Sequence, residues 1–176
     1  LVSLRIMQDV LIAHALMNRP FEKDDQNYQT MLELALARIR QLSAHEVGHT
    51  LGFAHNFAAS TNSRASVMDY PHPKITLKKD EIDFSEAYAT GIGDWDKVTV
   101  AYSYSDVPGD QSEKSYLSKL LMEAFSDGLH YISDADARPQ GGAHAKAHLW
   151  DNGTSATEEL KNVLAVRKKA IENFSI

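Results

Sequence analysis

The chain reads as a mainly α fold, and three observations lead there. A helical apolar rhythm runs from Tyr28 through Met31, Leu32, Leu34, Ala35, Leu36, Ile39 and Leu42 and continues to about Leu51. Beyond residue 93, capping residues, apolar positions three or four apart and terminal glycines or prolines recur in the order helices require. Strand-like alternation shows at Val2, Leu4 and Ile6, where the chain has barely begun. At 176 residues there is room for one domain with a single sizeable core.

Taken in order, Val2, Leu4 and Ile6 would close a strand whose partners lie upstream. From Met7 to Met17 the spacing turns helical and stops at Asn18-Arg19-Pro20, with His14 as a packed or surface histidine. Residues 24–27 form a polar loop. The helix from Tyr28 to about Leu51 is apolar over much of its circumference and is therefore expected to be buried. Residues 56–80 read as irregular, because Pro71-His72-Pro73 forbids helix and Ser, Asn and Thr loosen the rest. Between its prolines, His72 reads as an exposed loop residue.

Asp94 is the expected cap of a helix through Trp95, Val98, Val100, Ala101 and Tyr104, which breaks at Pro108-Gly109-Asp110. Ser112 caps the next, with Tyr116, Leu117, Leu120, Leu121, Ala124 and Phe125 as its apolar face and Gly128 as its end. Ser155 and Glu158 make a capping box for the last helix, whose stripe runs through Leu160, Val163, Leu164, Ile171 and Phe174. No internal repeat or low-complexity tract interrupts the series.

Composition narrows the function classes. Apolar residues at 43% and charged residues at 24% are those of an ordinary globular domain. A formal charge of −6 argues against nucleic acid or an anionic membrane as the main partner. No apolar run approaches the length of a membrane span. The absence of cysteine excludes disulfides and thiol chemistry.

The chemistry is concentrated in one segment. His45-Glu46-Val47-Gly48-His49-Thr50-Leu51-Gly52-Phe53-Ala54-His55 reads H-E-x-x-H-x-x-G-x-x-H. On a helix His45 and His49 sit one turn apart on one face, so both imidazoles can reach one metal ion. Gly52 tolerates the left-handed backbone that ends a helix, and the turn returns His55 as a third ligand. Glu46, beside the first ligand, is placed to act as a general base without ligating the metal. Three protein ligands with one open position is the coordination of a catalytic zinc. The pattern should arise by chance in about 5 of 100,000 chains of this composition, which makes it far more specific than most short motifs.

Downstream lies Ser66-Val67-Met68-Asp69-Tyr70. Together with the extended zinc motif it resembles the metzincins, metallopeptidases with a Met-turn under the metal. The resemblance implies that Met68 is the Met-turn residue, an apolar floor beneath the imidazoles. Tyr70 resembles the switch tyrosine of the astacin and serralysin branches, which ligates zinc at rest and swings to stabilise the transition state. A packed phenol with a bonded hydroxyl is the alternative. His55-Asn56-Phe57, Ile92-Gly93-Asp94-Trp95-Asp96, residues 134–139 and Leu149-Trp150-Asp151-Asn152-Gly153 are similar to the bacterial, EcxA-like Met-zincin family. Asn56 departs from the residue types that mark astacins, adamalysins and matrixins, which points to that separate branch.

The resemblance also implies a twisted sheet ahead of the zinc helix, whose edge strand holds substrate in extended form. Only 44 residues precede His45, so the chain is expected to be an interior catalytic fragment of a larger exported protein, secreted, periplasmic or exposed on the cell envelope. Counting that upstream sheet, the class becomes α+β.

Between Gly128 and Gly153 lie His130, Asp134, Asp136, His144, His148 and Asp151, with Arg138 and Trp150. His144 and His148 have helical ligand spacing, and Asp134-Ala135-Asp136 offers oxygens to a calcium ion. The EF-hand pattern is absent, so polar contacts or a substrate-contacting lower rim are the expectation rather than a second metal such as Ca2+.

The expected function is that of a zinc-dependent endopeptidase. His45, His49 and His55 hold one Zn2+, Glu46 is the base and Tyr70 assists. Met68 and Gly52 support the site. The partners expected are a protein or peptide substrate and the parent protein's upstream domains. The rivals are a toxin-type or partner-binding zinc domain with little proteolysis, another zinc amide hydrolase, and a plain helical interaction domain. Residues 1–176 would form one catalytic region: an N-terminal helix and zinc helix at 1–55, a Met-turn region at 56–93 and a helical lower subdomain at 94–176.

Overall fold

The computed structural model describes residues 11–13, 16, 26–70, 72–137, 144–147 and 152–173. The expected strand at Val2, Leu4 and Ile6, together with His14, Arg138, His148, Trp150, Asp151 and Phe174, lies outside them. Of the expected helix from Met7 to Met17, residues 11–13 and 16 are described and are helical.

The described fold is mainly helical with one small sheet. In chain order it comprises α1 (Gln26–Thr50), a 3-10 turn (Ala59–Asn62), β1 (Thr76–Lys78), β2 (Glu81–Asp83), α2 (Asp94–Tyr104), α3 (Glu113–Ser126), the short α4 (Asp134–Ala137) and α5 (Ala156–Asn173). The chain divides into two compact units. One holds residues 1–43, 72–90 and 155–176, and the other holds 44–71 and 91–154.

In the first unit, β1 and β2 pair antiparallel with Thr76 opposite Asp83 and Lys78 opposite Glu81. The two-residue turn places Lys79 and Asp80 at φ 52° and 66°, the left-handed pair that matches the twist of a tight hairpin. The irregular reading of residues 56–80 is therefore corrected at β1. The Lys-Asp turn lacks the Asn-Gly or Asp-Gly signature by which such hairpins are recognised. Met31, Leu34, Phe84, Ala87 and Tyr88 form this unit's core, with Ile75 and Ile82 packed on it.

α5 packs on this hairpin. The Asn162 amide donates to the Ile75 carbonyl at 2.9 Å, and Lys169 pairs with Asp80. Ser155 and Glu158 sit at its start, where the Glu158 N–H donates to the Ser155 hydroxyl at 3.4 Å. The expected stripe needs correction. Val166 is the buried position, while Leu160, Leu164 and Ile171 are 58%, 54% and 76% exposed. The side that meets the hairpin carries Asn162, Val166 and Lys169, with half-buried Val163 of the expected stripe at its margin, so the covered face is turned away from Leu160 and Leu164.

α1 also departs from expectation. Its buried positions are Met31, Leu34, Arg38, Gln41, His45 and Gly48, a single stripe at intervals of three and four. Leu32, Leu36, Ile39 and Val47 lie off that stripe and stay exposed, so the helix is not buried all round. The apolar count overstated the burial because the stripe includes three polar side chains, Arg38, Gln41 and His45. The Arg38 guanidinium lies 5.4 Å from the Tyr88 ring and donates to the Gln41 side chain.

In the second unit Trp95 joins α2 to α3. It packs with Ala59, Ala65 and Ala124, and its ring stacks on Tyr131 at 5.3 Å and Phe125 at 6.1 Å. Asp94 is not the cap expected of it. Gly93 precedes the helix, and the Asp96 carboxylate reaches back to accept the Gly93 N–H at 2.7 Å. α3 follows Ser112 and stops at Gly128, which adopts φ 83° as the expected terminator.

Candidate metal centre

The C-terminal end of α1 carries the site, and its geometry follows from how that helix stops. Gly52 adopts φ 87°. Its N–H donates to the His49 carbonyl and the Phe53 N–H to the Gly48 carbonyl, both at 3.0 Å. This is a Schellman closure, which satisfies carbonyls the helix would leave open and reverses the chain toward His55. A Cβ at Gly52 would meet nothing within 4 Å, so the glycine is needed for its backbone conformation and not for space. The Tyr104 hydroxyl covers a further helix-end carbonyl, donating to Leu51 at 2.8 Å.

The turn brings His45, His49 and His55 together. Their ring centroids are 4.7 to 5.2 Å apart, and one ligand nitrogen from each lies within 4.8 Å of the others. Each ring is aimed by an oxygen acceptor at its far nitrogen. His45 Nδ1 meets the Val67 carbonyl at 2.7 Å, His49 Nδ1 the Phe53 carbonyl at 3.0 Å, and His55 Nδ1 the Asp134 carboxylate at 2.7 Å. Carbonyl and carboxylate oxygens only accept, so each Nδ1 carries the proton and each Nε2 presents a lone pair.

His49 Nε2 and His55 Nε2 face one another at 3.1 Å. Two lone pairs so close repel unless a cation lies between them. Nitrogens sharing a tetrahedral zinc at bond lengths of about 2.0–2.1 Å stand about 3.4 Å apart, so this donor set fits that ion. Burial pushes His45 below the ordinary histidine value. The Val67 carbonyl opposes that shift, and neighbouring His49 and His55 add to it. A neutral imidazole is the form that ligates metal.

Met68 is buried, only 3% exposed, and its side chain reaches α1 at Gly48. A Cβ at Gly48 would fall 2.2 Å from the Met68 sulfur, so the residue between the first two histidines must be glycine for Met68 to reach α1. The turn that presents Met68 hangs on a buried carboxylate. Asp96 accepts from the Ser66 hydroxyl at 2.5 Å, the Val67 N–H at 2.9 Å and the Gly93 N–H at 2.7 Å. The same Val67 then orients His45 through its carbonyl, so Asp96 acts on that imidazole at one remove.

Gly93 closes the arrangement, since a Cβ there would lie 2.0 Å from the Ala65 carbonyl oxygen and 2.6 Å from the Ser66 nitrogen. Backbone cannot step aside as a side chain can. Gly93→Ala is expected to cost about 3 kcal/mol and to displace the turn. A urea unfolding series would check this, and an unchanged midpoint would contradict it.

Asn56 is fully buried, and both its amide nitrogen and its amide oxygen are engaged. Nδ2 donates to the His130 carbonyl at 2.9 Å, while Oδ1 accepts from the Ile132 and Ala58 N–H groups at 3.1 Å. The Phe57 N–H adds a 2.9 Å bond to the Ile132 carbonyl. Residues 130–132 are thereby laced alongside the segment after His55, and Asp134 follows two residues later. The unusual residue after the third histidine is thus a clamp. Tyr70 lies against the centre, its ring centroid 4.6 Å from His55 and 5.4 Å from His45. Glu46 is exposed on α1 beside His45.

Among the described residues of 128–153, several other side chains have partners of their own. Asp136 accepts from the Ser133 hydroxyl at 3.0 Å, and Asp134 is engaged by His55. His144 accepts from the Lys146 N–H, and Lys146 Nζ lies 3.1 Å from His130. Tyr131 lines an apolar cavity of about 290 Å³ with Phe53, Met68, Val98 and Phe125. Among the described residues, ligand-type side chains converge at His45, His49 and His55. His72 is exposed.

Asp134, Asp96, Asn56 and Gly48 were all missed as contributors by sequence reasoning. Gly48 alone left a local signal, because a glycine inside a helix costs about 1 kcal/mol against alanine and so points to a packing reason. No curated protein and no solved structure matches the chain. A family model described as Met-zincin matches residues 27–176, and the cluster of three imidazoles agrees with it. The chain belongs to the Met-zincin family, and its second unit carries a zinc metallopeptidase-like centre.

Proposed function

We propose that the chain is a zinc-dependent endopeptidase acting on protein or peptide substrates. The observation that carries this reading is the set of three Nε2 atoms, converged and held in the ligating tautomer by acceptors at all three Nδ1 positions. The ion they would hold supplies Lewis acidity, which lowers the pKa of water toward about 7 and polarises a carbonyl. His45, His49 and His55 bind and orient. The Glu46 carboxylate takes one proton from the attacking water and returns it to the amide nitrogen as the C–N bond breaks. The Tyr70 phenol donates to the oxyanion that forms as water adds to the carbonyl carbon.

A structural zinc site has no use for a neighbouring base, so an exposed carboxylate beside the first ligand favours catalysis over a purely docking role. An extracellular or envelope address is part of the same proposal. The test is incubation of the zinc-loaded chain with a mixed peptide library, read by mass spectrometry. Internal cuts that vanish with a chelator and return with zinc are the expected result. Stoichiometric zinc with no cuts at any peptide would overturn the endopeptidase reading.

A further inference from the structure

We infer that Asp134 is a positioning residue for the third zinc ligand, acting through the Nδ1–H of His55. This rests on the reading of His55 as a ligand and adds the residue that orients it. The two residues are 79 positions apart, yet Asp134 Oδ2 lies 2.7 Å from His55 Nδ1, the short distance of a charge-assisted hydrogen bond. His45 and His49 are oriented by backbone carbonyls, whereas His55 has a full negative charge behind it. A carboxylate there makes Nε2 more electron-rich than a carbonyl does and holds the ring plane against rotation.

The placement of Asp134 is itself supported. The buried Asn56 amide bonds the His130 carbonyl and the Ile132 N–H, and Phe57 bonds the Ile132 carbonyl. The residue after the ligand therefore clamps the segment that delivers the carboxylate. α4 begins at Asp134, and the Ser133 hydroxyl binds Asp136, which fixes how the chain turns there. His55 is only 16% exposed at its side chain, so the ring has little freedom once Asp134, itself half-exposed, holds it.

The test compares the wild-type chain with Asp134→Ala, Asp134→Asn and Asp134→Glu, using zinc alone as the probe. Zinc affinity is read by competition with a chromophoric chelator. The imidazole Nδ1–H signals are read by NMR on protein labelled with nitrogen-15 at histidine. Asp134→Ala is expected to weaken zinc about 10- to 100-fold and to shift the His55 Nδ1–H signal alone. Asp134→Asn keeps an acceptor without its charge and should fall between, and Asp134→Glu should recover part of the affinity.

Zinc affinity within twofold of wild type in both the Ala and Asn variants would overturn the inference while leaving the ligand set standing. Weaker binding with an unmoved His55 signal would also overturn it, as the residue would then be merely structural. A wild-type chain that takes up no zinc would bring down the ligand reading as well. If Asp134→Ala fails to fold by circular dichroism, the nearly isosteric Asn variant decides.

Discussion

Glu46→Ala should keep its zinc and lose peptide cleavage by about 10²- to 10⁴-fold, the range over which a positioned general base accelerates proton transfer. The two halves of that result have separate causes. Zinc is retained because Glu46 does not belong to the cluster of ligand nitrogens, which is formed by His45, His49 and His55. The helix is retained because the side chain is exposed on α1 and alanine is the residue best suited to a helix interior. What disappears is the carboxylate that accepts the proton of the attacking water. Elemental analysis alongside library cleavage measures both halves. Unchanged turnover in the zinc-loaded variant would remove Glu46 from the mechanism, and loss of zinc would mean the carboxylate belongs to the metal site.

His49→Ala should fail at the earlier step, losing zinc and activity together. His49 stands at the centre of the cluster, 3.1 Å from His55 through Nε2 and 4.7 Å from His45 between ring centroids. Its removal leaves two donors, too few to hold an ion against water and buffer. The loss is also visible in stability. A ligand present at 100 times its dissociation constant stabilises the native state by about 2.7 kcal/mol, so adding zinc should raise the wild-type melting temperature and leave that of His49→Ala unmoved. Equal zinc-induced shifts in the two proteins would show that His49 is not a ligand.

The two variants divide the site as its geometry does. Asp96 reaches His45 through Val67, and Asn56 reaches His55 through residues 130–132 and Asp134. Each outer partner makes three hydrogen bonds, so disturbance of either should be felt at an imidazole rather than dissipated in a loose loop. Met68 packs against the same helix, where a Cβ at position 48 would fall 2.2 Å from its sulfur.

The histidine cluster was legible because its relationships are local. An i, i+4 spacing on a helix puts His45 and His49 on one face whatever surrounds them, and Gly52 supplies a backbone state that few other residues accept. The boundaries of α3 and the start of α5 were readable for the same reason, since caps and terminators act within a few residues. Met68 and Tyr70 stood in the sequence as a motif, and the fold brings the Met68 sulfur to Gly48 of α1 and the Tyr70 ring to 4.6 Å from that of His55.

The supporting shell was decided by tertiary structure alone. Asp134 and Asp96 are common carboxylates in a chain rich in them, and nothing in their spacing distinguishes the one that meets His55 or the one that holds the Met-turn. The same is true of burial. α1 carries more apolar residues than its one packed stripe covers, and α5 buries Val166 in place of Leu160 and Leu164. A periodic pattern says which residues share a face, but only the neighbours brought there by folding determine which face is covered. The ligand set of this protein was therefore written within one helical turn and its sequel, whereas the aim of each ligand depends on contacts from 22 to 79 residues away at His45 and His55.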